Sequence, residues 1–492
     1  MASMSRREFL RSAAAARLRR APLSRIAAQE ENKPLNFVFI LMDDMGWGDP
    51  GCYGSPFYET PNIDALAKQG VRFTTAYAAA PACSPTRASI MTGKYPARLH
   101  LTDWLPGAGI APRFKLNRPE ILQHLPLEEV TIAEALKQKG YLCANIGKWH
   151  LGGEGFLPEN QGFDVNVAGT SAGMPKSYFH PTWSGKALRS PSQWNKGLFY
   201  PPIDDDPPPP GGPDEYLTDR LCDEAVSFID ENKSKPFFLL LANYAVHIPI
   251  EAKEEITAKY QAKARPDQIH NNPVYAAMIE SVDQGVGRVM AVLEKHGIAD
   301  RTVVIFTSDN GGLDVSQGPN TPATSNHPFR AGKGRLYEGG VREPLIVRWP
   351  GVVEPGRVCD EMVCSNDFYP TVVEMAGIKG RPNGEIDGKS LVPLLKEGKP
   401  LHRDTLYWHY PHYSGQGGRP SSAIRCGDMK LIEHFEDGRI ELFDLKADIG
   451  ETNDLAAKMP EKAEELQKKL LKWRKSVKAQ MAVPNPDYTP PE

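Results

Sequence analysis

Apolar residues along this chain come in short continuous runs rather than in one sustained period. Leu35–Met42, Leu142–Ile146, Pro236–Asn243 and Thr302–Thr307 are each four to eight residues of nearly unbroken hydrophobicity. Leu345–Arg348 is a shorter run of the same kind. Runs of that length, rich in Val, Ile, Leu and Phe, read as strands buried on both faces of a parallel sheet. Between them the spacing turns helical. Asn62–Gly70 ends on a glycine, and Thr131-Ile-Ala-Glu134 is a capping box whose helix stops near Gly140. Tyr216–Glu231, residues 274–296 and Asp367–Ala376 repeat apolar residues at three and four positions. Strands alternating with helices predict an α/β fold, a large mostly parallel sheet flanked by helices.

Past residue 400 the texture changes. Ser422–Ile432 and Arg439–Leu445 read as short antiparallel strands with a turn at Glu436-Asp437-Gly438, and Glu461–Val477 as a charged amphipathic helix. The expected organisation is a leader over 1–33, a main domain over 34–400 and a small C-terminal α+β subdomain over 401–492. Residues 153–215 break the alternation. They are rich in Pro, Gly and aromatics, with four prolines at 207–210, and read as an excursion from the sheet. Its aromatics Tyr178, Phe179, Trp183, Trp194, Phe199 and Tyr200 either stack on a ligand such as a sugar or pack the loop onto the body. The sequence leaves both open.

Charge sharpens this picture. The net charge of −3 hides a basic leader, because the first 28 residues hold seven arginines and one glutamate. The remainder is therefore at −9, which argues against a nucleic-acid surface. No apolar run is long enough to span a bilayer, so stable membrane insertion is not expected. Ser5-Arg6-Arg7-Glu8-Phe9-Leu10 resembles a twin-arginine export signal, and Ala27-Ala28 offers a small-residue cleavage site. Arg17, Arg19, Arg20 and Arg25 interrupt the region that would be apolar. The expected location is periplasmic or extracellular.

The chemistry gathers at Cys83-Ser-Pro-Thr-Arg-Ala-Ser-Ile-Met-Thr-Gly-Lys-Tyr-Pro-Ala-Arg98. Pro85 fits the first turn of a helix, which puts Cys83 at or just before a helix N-terminus, and Thr92-Gly93 reads as its stop. The helix dipole and Arg87 would favour an anion there and lower the thiol pKa. The string resembles the signature of the type I sulfatases, matching at Cys83, Pro85, Arg87, Thr92, Gly93, Lys94 and Arg98. In that family the cysteine is oxidised to formylglycine, whose hydrate is the nucleophile. The resemblance covers nearly the whole chain after residue 34 and is closest to the arylsulfatase A and N-acetylgalactosamine-6-sulfatase branch. It implies an alkaline-phosphatase-like fold and a formylglycine-generating or equivalent maturation enzyme as a partner. The other six cysteines show no Cys-x-x-Cys pair. Cys359 and Cys364, near one another in the chain, are the first pair to consider for a bridge.

Three strand ends deliver further polar groups: Asp43 with Asp44, Lys148 with His150, and Asp309 with Asn310. Each alone reads equally as a turn or a cap. Together, Asp43, Asp44, Asp309 and Asn310 offer oxygen donors suited to a hard divalent cation, and His150 and His247 titrate near neutrality. The resemblance assigns calcium to Asp43, Asp44, Asp309 and Asn310, with the group at Cys83 completing the site. It assigns substrate and nucleophile contacts to Arg87, Lys148, His150, His247 and Lys333. Lys333 lies in Gly-Lys-Gly-Arg-Leu-Tyr-Glu-Gly-Gly-Val-Arg-Glu-Pro (332–344), a family block of its own. The implied reaction releases sulfate from a sulfuric ester. Asp309 helps the nucleophile, His247 with Lys333 protonates the leaving alcohol, and His150 removes a proton from the second hydroxyl. The expected substrate is a sulfated carbohydrate, or an aryl sulfate. The rivals are a phosphate or phosphonate ester hydrolase of the wider superfamily and a sulfated-glycan binder that keeps its thiol.

Overall fold

The apolar run Asn36–Met42 forms β1, buried at every position, inside a nine-stranded sheet. The structure, a computed structural model, describes residues 33–109, 111–180 and 215–490. The leader motif and Trp183, Trp194, Phe199 and Tyr200 lie outside these residues. The chain continues through α1 (Pro61–Gln69), β2 (Val71–Tyr77), α2 (Cys83–Thr92), β3 (Leu116–Asn117), α3 (Ile132–Lys137), β4 (Leu142–Gly147) and β5 (Val165–Val167). Next come α4 (Leu217–Asn232), β6 (Phe237–Ala242), α5 (Pro273–Lys295), β7 (Thr302–Ser308), β8 (Arg342–Arg348), β9 (Arg357–Cys359), β10 (Val363–Cys364) and α6 (Phe368–Met375). The C-terminal part holds β11 (Thr405–Tyr410), β12 (Ser421–Cys426), β13 (Met429–His434), β14 (Ile440–Asp444), α7 (Pro460–Ser476) and β15 (Val483–Pro484), which pairs with β3.

The large sheet runs β10-β2-β8-β7-β1-β6-β4-β5, with β9 also paired to β2. The four strands β7, β1, β6 and β4 are mutually parallel, as their apolar runs require. Their C-terminal ends therefore lie side by side along one sheet edge, where sites collect in open α/β sheets. Val38 and Ile40 pack under α1, α4 and α5 in one core. On the opposite face Phe39 meets Phe368 of α6 edge-on at 5.1 Å. The capping box at Thr131 is formed in full, Glu134 N–H donating to Thr131 Oγ1 and Thr131 N–H to Glu134.

Three features depart from expectation. Leu345–Arg348 is only the end of β8, which starts at Arg342 and runs antiparallel to β2 and β7. β2 itself, with alternating Arg and Thr among its apolar residues, does not stand out as a buried run. Ser422–Ile432 is not one strand but the hairpin β12–β13, turning at Gly427-Asp428. β11 completes a four-stranded antiparallel sheet.

All seven cysteines are free. Cys359 and Cys364 do not bridge, because they pair with Phe73 and Tyr77 of β2. Four residues along a strand is about 13 Å, beyond the reach of a disulfide. Tyr178 and Phe179 pack the excursion onto the body. Tyr178 Oη donates to the carbonyls of Tyr244 and His247 at 2.6 and 3.0 Å, and Phe179 packs on Tyr216.

One face of the C-terminal sheet carries α7 through Ile424, Leu431, Leu442, Leu466 and Leu470. The other face lies on the segment leading to Cys83, where Trp408 Nε1 donates to the Ala78 carbonyl at 2.8 Å. Behind that contact Lys430 Nζ is buried between Glu338, at 2.9 Å, and Glu451, at 3.0 Å.

Candidate active site

Strand ends, one helix start and one loop converge on a single buried centre. β1 delivers Asp43 and Asp44, β4 delivers Lys148 and His150, β6 leads to His247, and β7 delivers Asp309 and Asn310. All seven residues are buried. α2 begins at Cys83, with Ala82 as the residue before it and Gly93 closing the helix at φ 75°. The loop between β7 and β8 brings Lys333. Every site residue read from the sequence lies in this centre.

Each acid has a basic partner. Lys148 Nζ lies 2.7 Å from Asp43 Oδ2, and Lys333 Nζ lies 2.7 Å from Asp44. Arg87 Nε donates to Asp309 Oδ2 at 2.8 Å and its Nη1 to the Lys148 carbonyl at 3.0 Å. Asn310 Nδ2 donates to Asp44 Oδ1 at 2.7 Å. Asp44 sits at φ 62° and His150 at φ 58°. Left-handed backbone is costly away from glycine, and such strain gathers at functional sites.

A carboxylate oxygen from each of Asp43 and Asp44, the Cys83 sulfur and a ring nitrogen of His247 lie within 4.8 Å of one another. Asp43 Oδ1 and Asn310 Oδ1 are buried with no hydrogen-bond partner. Asp309 Oδ1 receives the Asp44 N–H at a long 3.3 Å. Three carboxylates packed together, with unpartnered oxygens on Asp43 and on the neighbouring Asn310 amide, fit a hard divalent cation by donor type and by unmet valence. His247 belongs to the tightest group, whereas Asp309 and Asn310 join through Asp44.

The same crowding sets the ionisation of the site. Burial alone would raise the Cys83 thiol, but Lys148 and Lys333 outweigh it and bring it down to about 7. The lysines are the largest lowering influences, His247 adds a hydrogen bond, and Arg87 also couples to the thiol. Burial and then Asp43 push Asp309 up to about 6. Burial opposes ionisation of Asp44, yet Lys333 and His247 hold it down at about 2. Burial, and then Lys148, drives His150 well below the ordinary histidine value. His247 is shifted upward, since Asp44 and Asp43 outweigh its burial and Lys333.

The centre opens into a cavity of about 390 Å³. Its walls include Trp104, Ser171, Met174, Gln317, Tyr410 and Gln416, none of them singled out from sequence. The Leu105 carbonyl, which accepts from His150 Nε2 at 2.7 Å, was equally hidden. The one available signal was the aromatic alternation of Tyr407-Trp408-His409-Tyr410, which marks β11 and places Tyr410 at its end.

Residues 35–378 match the family model described as Sulfatase, and residues 330–480 match N-sulphoglucosamine sulphohydrolase, C-terminal. A protein named sulfatase from Formosa agariphila is 35% identical, with 88% of this chain and 86% of that protein covered. Human arylsulfatase A is 34% identical, over 82% of this chain and 75% of its own. Human N-acetylgalactosamine-6-sulfatase is also 34% identical, over 76% and 68%. The crystal structure of Ps i-CgsB in complex with k-i-k-neocarrahexaose superposes with a TM-score of 0.74 at 31% identity, covering 91% of this chain and 94% of that one. The phosphonate monoester hydrolase of Agrobacterium radiobacter shares the fold, with a TM-score of 0.62 at 20% identity over 90% and 96%.

Proposed function

The chain belongs to the sulfatase family, and from that premise we propose that it releases inorganic sulfate from a sulfated carbohydrate, using formylglycine made from Cys83 beside a bound calcium ion. The observation that carries the reading is the meeting of Cys83 with Asp43, Asp44 and His247 within 4.8 Å. Carbohydrate is favoured because relatives on both sequence and structure carry sugar sulfates or carrageenan oligosaccharides in their names. Asp43, Asp44, Asp309 and Asn310 would hold the calcium, which supplies Lewis acidity toward the ester oxygens. The formylglycine hydrate supplies a nucleophile that can leave again as an aldehyde.

The chain's own residues divide the remaining work. Arg87, Lys148 and Lys333 are fixed cations that hold the negative charge of the sulfuryl group, with no reorganisation needed at the moment of reaction. His247 pairs Nδ1 with the Ile248 carbonyl at 2.8 Å. A carbonyl only accepts, so Nδ1 carries hydrogen, and the upward pKa shift favours a second proton on Nε2 for the departing alcohol. His150 is the opposite case: its Nε2 hydrogen is committed to Leu105, it is held neutral, and Nδ1 is left to accept a proton. Two like groups with pKa values pushed apart form an acid and base pair. Asp309, at about 6, is poised to take the nucleophile's proton near neutrality.

We read residues 34–400 as the catalytic part and 401–492 as a subdomain that closes the cavity through Tyr410 and Gln416. Among the described residues no helix is long and apolar enough to cross a membrane. The twin-arginine-like leader fits export of a protein already folded and matured in the cytoplasm.

Mass spectrometry of the peptide carrying Cys83, from protein made in its native host, tests the nucleophile. The expected product is the aldehyde, and an intact thiol favours the glycan binder. Sulfate release from sulfated oligosaccharides, set beside turnover of an aryl sulfate and an aryl phosphonate, tests the substrate. Faster phosphonate cleavage would replace this reading with the phosphonate ester hydrolase. For calcium, the thermal midpoint should fall on treatment with a chelator and recover with added calcium. Saturation at a hundred times Kd contributes about 2.7 kcal/mol to stability.

A further inference from the structure

The groups that hold His150 are not part of the proposed chemistry, yet hydrogen bonds and one short loop of backbone connect the C-terminal sheet to its ring. His150 Nε2 meets the Leu105 carbonyl at 2.7 Å. Leu105 is itself pinned, its N–H donating to Ser84 Oγ at 3.1 Å, one residue from Cys83. The buried carboxylate of Asp103 clamps the loop around Leu105 from both sides. Its Oδ1 accepts the Trp104 N–H at 2.9 Å and its Oδ2 the Ala108 N–H at 3.0 Å. Tyr410, the last residue of β11, donates its hydroxyl to Asp103 Oδ1 at 2.8 Å. Across the ring there is no slack, because a Cβ at Gly173 would come within 2.6 Å of His150 Cε1.

We propose that Asp103 and Tyr410 are positioning residues for His150: they fix the Leu105 carbonyl, which fixes the ring so that Nδ1 faces the reacting group. This rests on the reading of His150 as a proton acceptor. The physical case is tautomer control. A carbonyl cannot donate, so its contact with Nε2 forces the hydrogen there and leaves the lone pair on Nδ1. Nδ1 is buried and has no partner, as expected of an atom kept for substrate or nucleophile. Were the loop free to shift, the ring could turn and the proton-accepting nitrogen would be lost, with little effect on binding. Lys148, Arg87 and His247 are the charged or titratable groups that bear most strongly on His150, and among the described residues its ring is hydrogen-bonded to the Leu105 carbonyl rather than to any of them. The arrangement makes the C-terminal sheet a working part of the site rather than a cover.

A double-mutant cycle on aryl sulfate hydrolysis tests this. Tyr410→Phe removes one oxygen from a buried ring and should leave the thermal midpoint within a few degrees. It should lower kcat roughly tenfold with KM within about twofold, the size expected when a supporting contact is lost. Asp103→Asn, which cannot accept both backbone hydrogens, should lower kcat further. In a His150→Ala background both substitutions should become silent. An equal loss in both backgrounds, or no loss in either, overturns the proposal. A change in KM alone also overturns it, since it would mean that Tyr410 only binds substrate. If His150→Ala alone keeps wild-type turnover, the reading of His150 fails instead, and the cycle separates the two failures. Should Asp103→Asn not fold, Tyr410→Phe carries the test.

Discussion

His247 Nε2 stands 3.6 Å from Asp44 Oδ2, so the proposed acid is paired with a carboxylate of the proposed calcium site. That contact, with Asp43 nearby, shifts the imidazole pKa upward against the effect of its burial.

A protonated His247 matters only when the leaving alcohol needs a proton. His247→Gln should therefore reduce turnover of a sulfated sugar by about 100- to 10,000-fold, the usual range for a lost general acid. Nitrophenyl sulfate, whose phenolate leaves without help, should lose far less. Parallel kcat measurements on the two substrates check it. Equal losses would remove His247 from the acid role.

Gly147 closes β4 at φ 106°, and a Cβ there would sit 1.9 Å from the Ala242 carbonyl on β6. Gly147→Ala must push apart the strand ends that carry Lys148 and His247. We expect a destabilisation of about 2–4 kcal/mol from strain and overpacking. The expected loss in kcat/KM is roughly 100-fold from misplacement. Urea unfolding and steady-state kinetics read the two effects separately.

Lys430 is the charge that lets Glu338 and Glu451 share one buried site. Burial opposes ionisation of Glu338, but Lys430, Arg342 and Arg425 hold it down at about 2. Burial, with Glu338 beside it, pushes Glu451 up to about 7 despite Lys430. Lys430→Met should cost about 3–5 kcal/mol, the price of an uncompensated buried charge. The deficit should shrink as pH falls, because the unfavourable carboxylates then take up protons. Unfolding midpoints of the variant and the parent at pH 7.5 and 5 check both statements.

His409 is buried between Ser422 Oγ, at 2.6 Å, and the Gln480 carbonyl, at 2.7 Å. Burial, with Arg474 adding to it, pushes its pKa down to about 4. An unfolded chain takes up this proton near 6.5, while the folded one resists until about 4. The stabilisation is thus complete above 6.5 and is lost as pH falls toward 4, by roughly 3–4 kcal/mol in all. His409→Gln should flatten the fall in unfolding free energy between pH 7 and 4.5. An unchanged slope would place the dependence elsewhere.

Local physics made much of this molecule readable from its residues. Apolar runs four to eight residues long could be satisfied only inside a sheet covered on both faces, and β1, β4, β6 and β7 follow them closely. The Cys83 string fixed a helix start and its stop, because Pro85 and Gly93 act within one turn. Oxygen donors at three strand ends pointed to one edge, since parallel strands present their C-terminal ends together. β2 and β11 were less legible. Their mixture of polar and apolar residues is stabilised by neighbours distant in the chain, so no unbroken apolar run announces them, and β11 shows locally only its aromatic stretch.

The sequence by itself determined the sheet, the helix that presents Cys83 and the residue types of the centre, since strand burial, caps and donor chemistry are properties of short stretches. Only the tertiary structure decided which histidine is pushed toward the neutral form and which toward the protonated one, and that Leu105, Asp103 and Tyr410 stand behind one of them. A pKa and a tautomer depend on which charges and carbonyls lie within a few ångströms. Those neighbours come from segments as far apart as residues 103 and 410, brought together by the packing of the second sheet on the first.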